Sequence, residues 1–293
     1  MSLRINTNIA AMNAYRNLGQ TDKSMQNSLQ RLSSGLRINK AADDAAGLAI
    51  SQGLQSQIGG LQVAARNAQD GVNIVQIADG ALNETESILQ RMRDLAVQAS
   101  NGGSQDTTAQ AAADTEFQQL NQELDRISQT TKFGSQALLS GSYTGVFQVD
   151  SGAGTGSTIG VDLTSSGALS GLTAASSTAT AITGFDSTGL GTSGLSLTST
   201  TGAISAIDQL DTAIQNVSTV RATLGAYQNR FEHTINNINV AIENLSASKS
   251  AITDTDMAQE MTNFTKMQIL QQAGTAMLSQ ANSASQSVLK LLG

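Results

Sequence analysis

The chain contains no cysteine, no proline and no tryptophan, a single histidine, and only 3% aromatic residues. Without cysteine there is no disulfide, no thiolate nucleophile and no cysteine-based metal site. One histidine excludes the common histidine-based zinc centres. Scarce aromatics remove the large side chains that dominate most cores and ligand pockets. Charged residues make up 13% of the 293 residues, against about 25% in an ordinary globular domain. The 16 basic and 23 acidic residues give a net charge of −7. That balance argues against nucleic acid as a partner, because such binding rests on Lys and Arg neutralising phosphates. No apolar run approaches the ~18 residues of a membrane span. Asn6, Thr7 and Asn8 interrupt any signal-peptide core, so no membrane partner is expected either.

What remains is Ala, Leu, Ile, Val and Met, in a pattern that suits long helices packed side by side. In the first 36 residues Leu18, Met25 and Leu32 recur every seven positions, with Leu29 and Leu36 on the same rhythm and Ile9 and Met12 ahead of them. Gly35 and Asn39-Lys40 mark a break, and Asp43 or Asp44 caps the next helix. That helix keeps a heptad step through Leu54, Leu61, Ala68, Val75, Leu82, Leu89 and Ala96 until Asn101-Gly102-Gly103 stops it. Its apolar stripe is wide enough to need more than one partner. Ala113, Phe117, Leu120, Leu124 and Ile127 share one face of a third helix.

Between residues 140 and 202 more than half of the chain is Ser, Thr or Gly, which disfavours helix. Val146–Val149 and Ile159–Leu163 read as a hairpin, and Leu195-Ser196-Leu197-Thr198 alternates like a strand. Helix resumes near Ala203, with Leu210, Val217, Leu224, Phe231 and Ile238 in heptad spacing; Arg221 and Gln228 interrupt the second seam. A last helix opens near Asp256, whose spacing to Gln259 resembles a capping box. Its apolar face is read as Met257, Met261, Phe264, Leu270, Met277, Ala281, Ala284, Val288 and Leu291. The two terminal helices are each ~50 Å long at 1.5 Å per residue.

No chemical motif survives inspection. Gly189-Leu190-Gly191-Thr192-Ser193-Gly194 matches the dinucleotide fingerprint in letters, but that fingerprint requires a strand before it and a helix after it. Here it sits in a Ser/Thr/Gly tract and reads as loop. His233 lies among helix-surface residues, and Asp43-Asp44 reads as a cap rather than a catalytic carboxylate pair. No catalytic residue, metal or cofactor is expected.

Several segments do carry a resemblance. Leu32-Ser33-Ser34-Gly35-Leu36-Arg37-Ile38-Asn39-Lys40-Ala41-Ala42-Asp43-Asp44-Ala45-Ala46-Gly47-Leu48-Ala49-Ile50 resembles the N-terminal signature of bacterial flagellins. Arg4–Asn8, Gln90–Gln98, Leu224–Phe231, and Gln268–Gly274 with Ala281-Asn282 are similar to further parts of that family. The resemblance covers about residues 1–140 and 200–293. It implies a mainly α fold: a long-helix coiled-coil rod of paired terminal helices plus a helical bundle with a small β-hairpin region. The implied domains are an inner terminal coiled coil (1–42 and 252–293), a bundle (43–175 and 195–251) with its hairpin at about 143–164, and a short variable surface segment (176–194). Ser283-Ala284-Ser285 departs from the family's frequent proline there, and Ala251 stands where an arginine is frequent.

The implied function is that of a structural subunit polymerising into the flagellar filament for swimming motility, not an enzyme. The implied route is unfolded export by the flagellar type III apparatus to the cell exterior, without a cleavable signal peptide. Implied partners are further copies of the chain in a helical homopolymer, an export chaperone at the C-terminal helix, the filament cap and hook-junction proteins, and a host Toll-like receptor. The expected receptor face is Arg91, Leu95 and Glu116, with Arg91 and Leu95 sharing a helix face at i, i+4. The expected self-assembly seam is the heptad set: Leu18, Met25, Leu32, Leu54, Leu61, Val75, Leu82, Leu89, Leu210, Val217, Leu224, Phe231, Ile238, Leu270, Met277, Val288 and Leu291.

The nearest rival is a hook–filament junction protein, whose counterpart of Asp43-Asp44 is typically followed by proline; this chain has none. A secretion-needle or translocator protein fits the signatures less well. An enzyme or sugar-binding module built on the Ser/Thr/Gly region lacks the aromatics and clustered acids it would need. From the seam, Leu224→Asp should abolish assembly, since an unpaired buried carboxylate costs several kcal/mol. Ser187→Asp, in the polar tract, reads as tolerated. Seeded elongation of the two purified variants measures the difference.

Overall fold

A computed structural model describes residues 8–103, 106–154, 156–164 and 184–292, with side chains through Ser283. Five helices carry the fold: α1 Ile9–Ser34, α2 Ala45–Ser100, α3 Thr107–Thr130, α4 Thr200–Thr253 and α5 Met257–Leu292. Two small antiparallel hairpins lie between α3 and α4. They are β1 Lys132–Phe133 with β2 Gln136–Ala137, and β3 Thr144–Gln148 with β4 Thr158–Asp162. The chain divides into two compact units, residues 1–58 with 243–293, and residues 59–242.

The second unit owns the hydrophobic core. Val75, Leu82 and Leu89 of α2 meet Leu210, Val217, Leu224 and Phe231 of α4, with Phe117 and Leu124 of α3, in one buried cluster. A seven-residue repeat on an α-helix keeps one face turned toward its partner, which is why each heptad row enters the core intact. The hairpin closes this core. Phe147 pairs opposite Ile159, and its ring meets Phe231 edge to face at 5.4 Å between centroids. Such pairs add about 0.5–1.5 kcal/mol beyond their buried area. Phe231 fits because residue 71 has no side chain: a Cβ on Gly71 would stand 2.6 Å from the ring's Cζ.

Arg221, which breaks the second apolar row of α4, is explained by α2. Its Nε donates to Asp79 at 3.0 Å and its Nη1 to Glu86 at 2.6 Å. The hydrogen bonds it donates to Asp79 and then Glu86 hold the guanidinium further toward its charged form than usual. One cation spanning two acids a helical turn or two apart on α2 fixes the register of α4 against it.

The Ser/Thr/Gly region departs from its reading in two places. Residues 195–198 form no strand, because α3 takes their polar groups instead. Asp114 accepts from the Leu197 amide at 2.7 Å, and Gln118 donates to the Leu195 carbonyl at 3.0 Å. The Thr192 hydroxyl donates to Asn121 at 2.7 Å, and Asp125 accepts from the Ser187 amide at 2.8 Å. Asp114, Gln118, Asn121 and Asp125 lie on one face of α3, so they rivet a strap to the helix.

The expected variable surface segment 176–194 is therefore corrected. Residues 176–183 lie outside the described residues. From Gly184 onward the strap is packed: Phe185, Ser187, Leu190 and Thr192 are buried. Ser187 is accordingly no tolerant site, and Asn229 on the exposed side of α4 is the suitable comparison for Leu224→Asp. The glycines of the apparent dinucleotide fingerprint bend this strap, with Gly191 and Gly194 at φ 73° and 84°. Asn121→Ala should remove both hydrogen bonds between Asn121 and Thr192, whose hydroxyl keeps the Ser187 carbonyl as a partner, and lower stability by about 0.5–1.5 kcal/mol per bond. Urea unfolding against the unsubstituted protein reads that loss.

Candidate self-association surfaces

The first unit is built on α1 and α5, which run antiparallel. Asn8 donates to the Ala281 carbonyl at 2.9 Å, Gln271 to Asp22 at 2.8 Å, and Ser28 to Glu260. The same Glu260 carboxylate lies 3.9 Å from Arg31. On α1 the covered row is Ala11, Ala14, Leu18, Thr21, Met25, Ser28 and Leu32; on α5 it is Glu260, Phe264, Met267, Gln271, Gly274, Leu278 and Ala281. Both rows alternate steps of three and four residues, the pattern of a coiled-coil seam. Gly274 lets the helices approach, since a Cβ there would stand 3.2 Å from Leu18 Cδ1.

The ends of the helices are held together as well. Gly35 takes the left-handed conformation (φ 72°) that terminates α1. The Arg37 amide then donates to Thr253 at 2.7 Å and the Thr255 amide to Gly35 at 2.9 Å, so the α1–α2 and α4–α5 breaks lie side by side. In the signature segment Asp43 accepts from the Asn39 and Lys40 amides at 3.1 and 2.9 Å, while Asp44 caps α2 through the Gly47 amide at 2.9 Å. The two acids are both caps, one of a turn and one of a helix. Asp256 caps α5 by accepting from the Ala258 and Gln259 amides.

This seam sets small and polar residues beside Leu18, Met25, Leu32, Phe264, Met267 and Leu278, and further large apolar residues are left outside it. Ile9, Met12, Tyr15 and Leu29 of α1 are exposed, as are Met257, Met261, Ile269, Leu270 and Met277 of α5. Within this unit only Ile38 and Ile58 are fully buried large apolar side chains among the described residues. Many exposed large apolar side chains and few fully buried ones are the reverse of a self-sufficient domain.

The expected seam residues thus fall into three groups. Leu18, Met25 and Leu32 lie in the α1–α5 contact and are half-buried, as is Leu54 in α2. Leu61, Val75, Leu82, Leu89, Leu210, Val217, Leu224, Phe231 and Ile238 are buried inside the second unit. They fold the subunit and are not presented to another copy, a correction to their assignment as a self-assembly surface. Leu270 and Met277 lie beside the α1 contact, 44% and 65% exposed, on the outward face of α5. The side chains of Val288 and Leu291 lie outside the described ones. Tyr15 and Ile269 escaped the sequence reading because neither falls on a seven-residue row of apolar neighbours. Their signal is isolation, a large side chain set among Asn, Arg, Gln and Thr.

The expected receptor face is corrected in one member. Arg91 and Glu116 form an exposed pair joining α2 to α3, with Nη2 to Oε1 at 2.6 Å and side chains 54% and 44% exposed. Leu95, 3% exposed, points into the core cluster instead. An i, i+4 pair shares a face only loosely, and the wide apolar stripe of α2 takes Leu95 inward.

The described residues hold no cluster of three or more His, Cys, Asp or Glu placed to bind a metal, and no helix among them is long and apolar enough to cross a membrane. The fold defines a mainly α-helical structural protein resting on paired terminal helices. Residues 5–144 match the bacterial flagellin N-terminal helical region, and residues 207–292 match the bacterial flagellin C-terminal helical region. The chain is 49% identical to a flagellin of Halalkalibacterium halodurans, covering 98% of this chain and 99% of that one. It is 45% identical to a flagellin of Bacillus subtilis, covering 99% and 100% of the two chains. It is 43% identical to a flagellar filament core protein of Treponema phagedenis, covering 98% and 99%. The chain belongs to the bacterial flagellin family, and its role is that of a flagellar filament subunit.

Two carboxylates tie this unit to pH. Hydrogen bonds from the Lys40 and then Asn39 amides hold Asp43 below the usual carboxylate range. The Ser250 and then Thr253 hydroxyls do the same for Asp254. Both are favoured charged in the folded protein, so their contribution is present above the ordinary value of 3.8 and is lost as the pH falls below it. The thermal unfolding midpoint of the unsubstituted protein should therefore fall more steeply below that pH than the midpoint of Asp43→Asn.

Proposed function

We propose that the outward apolar side chains of α1 and α5 are the surface through which this subunit packs on further copies of itself in an extracellular flagellar filament. The observation that carries this reading is the exposed apolar side chains of the terminal pair, with Tyr15 at 71% and Ile269 at 61% exposed outside a seam that already holds Leu18, Phe264 and Leu278. Burying a Leu, Ile or Met side chain contributes about 1.5–3 kcal/mol. Several such residues, contributed by each subunit to its neighbours, supply an association energy that a single chain leaves unused.

The same exposed row on α5 suits an export chaperone, which would cover apolar side chains before polymerisation. A route through the flagellar type III apparatus fits a subunit whose terminal pair gains its burial only after delivery. Cap and hook-junction proteins would meet the same helices at the filament's two ends. Recognition by a host Toll-like receptor would rest on the polar Arg91–Glu116 pair, with Leu95 holding α2 in place from inside. The hook–filament junction role is favoured by no feature of the fold or the relatives.

Ile269→Asp separates folding from assembly. Its side chain touches little within the subunit, so unfolding free energy should change by about 0.5 kcal/mol or less. Elongation from filament seeds, followed by electron microscopy, should be abolished. Filaments of normal length from this variant would remove α5's outward face from the contact.

A further inference from the structure

Six of the eight methionines lie on the two terminal helices: Met12, Met25, Met257, Met261, Met267 and Met277. Four of them, Met12, Met257, Met261 and Met277, are between 47% and 65% exposed, and Met25 and Met267 are half-buried in the seam between the helices. Met92, in the core of the second unit, is wholly buried. With no cysteine in the chain, methionine is the only sulfur available for oxidation.

We propose that these terminal methionines are a reversible oxidation site that controls whether an unassembled subunit can join a filament. The inference rests on the reading of α1 and α5 as the polymerising surface. The chemistry is a two-electron oxygen transfer from a peroxide. The thioether sulfur attacks one peroxide oxygen, the O–O bond breaks, and the departing hydroxide takes a proton to become water. Methionine is oxidised to its sulfoxide and the peroxide is reduced. The product exchanges a flexible apolar side chain for a polar, chiral one with a strong acceptor oxygen. At a surface that must become dry on assembly, that oxygen either loses its water without replacement or holds the neighbour away. Two thiols reverse the change: they form a disulfide, the sulfoxide oxygen leaves as water, and the thioether is restored.

Position explains the selectivity. In the free subunit the outward thioethers meet solvent, whereas Met92 does not. In a filament built on this surface the same sulfurs would be covered by neighbours. Oxidant would therefore act on subunits awaiting incorporation and spare those already assembled.

The test begins with purified subunit and intact seeds. Untreated subunit must elongate the seeds; failure there would overturn the polymerisation reading itself. Subunit exposed to hydrogen peroxide and then freed of it should carry added oxygen on the terminal methionines and none on Met92, by peptide mass spectrometry. Its critical concentration for elongation should rise about tenfold or more, the effect of removing one well-buried apolar contribution per contact. Methionine sulfoxide reductases of both stereospecificities, supplied with dithiothreitol, should restore elongation. A variant with leucine at all six positions keeps volume and helix preference, and should elongate equally well before and after peroxide. Full elongation by oxidised subunit overturns the inference, as does no recovery after reductase treatment removes the oxygens. Equal loss in the six-leucine variant would place the sensitive group elsewhere and overturn it too. Should that variant fail to elongate even untreated, the reductase arm decides alone.

Discussion

The antiparallel contact between α1 and α5 mixes small and polar side chains with leucine, methionine and phenylalanine. Gly274 admits Leu18, and Ser28, Thr21 and Gln271 fill positions that a self-sufficient coiled coil would give to Leu or Ile. Two helices that give part of their seam to small and polar residues leave other large apolar side chains outward. The polar members keep the pairing specific, because Glu260 is buried and meets both Ser28 and Arg31, while Asp22 meets Gln271. A slip by one residue would separate these partners. Register is thus set by polar contacts, and apolar side chains are left exposed outside the pair.

The second unit follows the opposite economy. Its heptad rows are large and converge on one core, which Phe231, Phe147 and the strap along α3 close from different sides. Polar atoms on α3 take up the backbone of a segment too rich in Ser, Thr and Gly to form regular structure. Unpaired backbone groups in a buried segment are costly, so Asp114, Gln118, Asn121 and Asp125 are as much a part of the fold as its leucines. A complete core here and an incomplete one in the terminal unit suit a subunit that must be stable alone yet ready to associate.

Composition bears on both. The absence of proline permits helices of 56 and 54 residues with no missing backbone donor in their interiors. The absence of cysteine leaves methionine as the chain's only redox-active sulfur, and the terminal helices hold most of it. Ala, Gln and Asn fill the remaining surface, giving long helices modest charge and few solvent-facing ion pairs. Arg126 with Glu123 lies within α3, whereas Arg221 with Asp79 and Glu86 joins α4 to α2.

By itself the sequence determined the helices, their breaks and the heptad rows of the core, because local spacing and capping residues act over a few positions. Asp44, Asp106 and Asp256 each cap a helix at its start, and Val75, Leu82 and Leu89 enter the core in the order their spacing predicts. The family signatures were legible for the same reason, being runs of contiguous residues. Tertiary structure alone decided which of several apolar rows would face inward. Leu270 and Met277 have the spacing of a seam, yet Gln271 and Gly274 hold that place, since the partner helix selects a row by fit and polar pairing rather than by hydrophobicity. Leu95 turned inward where an exposed face was expected, and Ser187 was buried by a helix lying 62 residues away in sequence. Periodicity defines a helix's faces; only the neighbours that pack against them determine which face remains free.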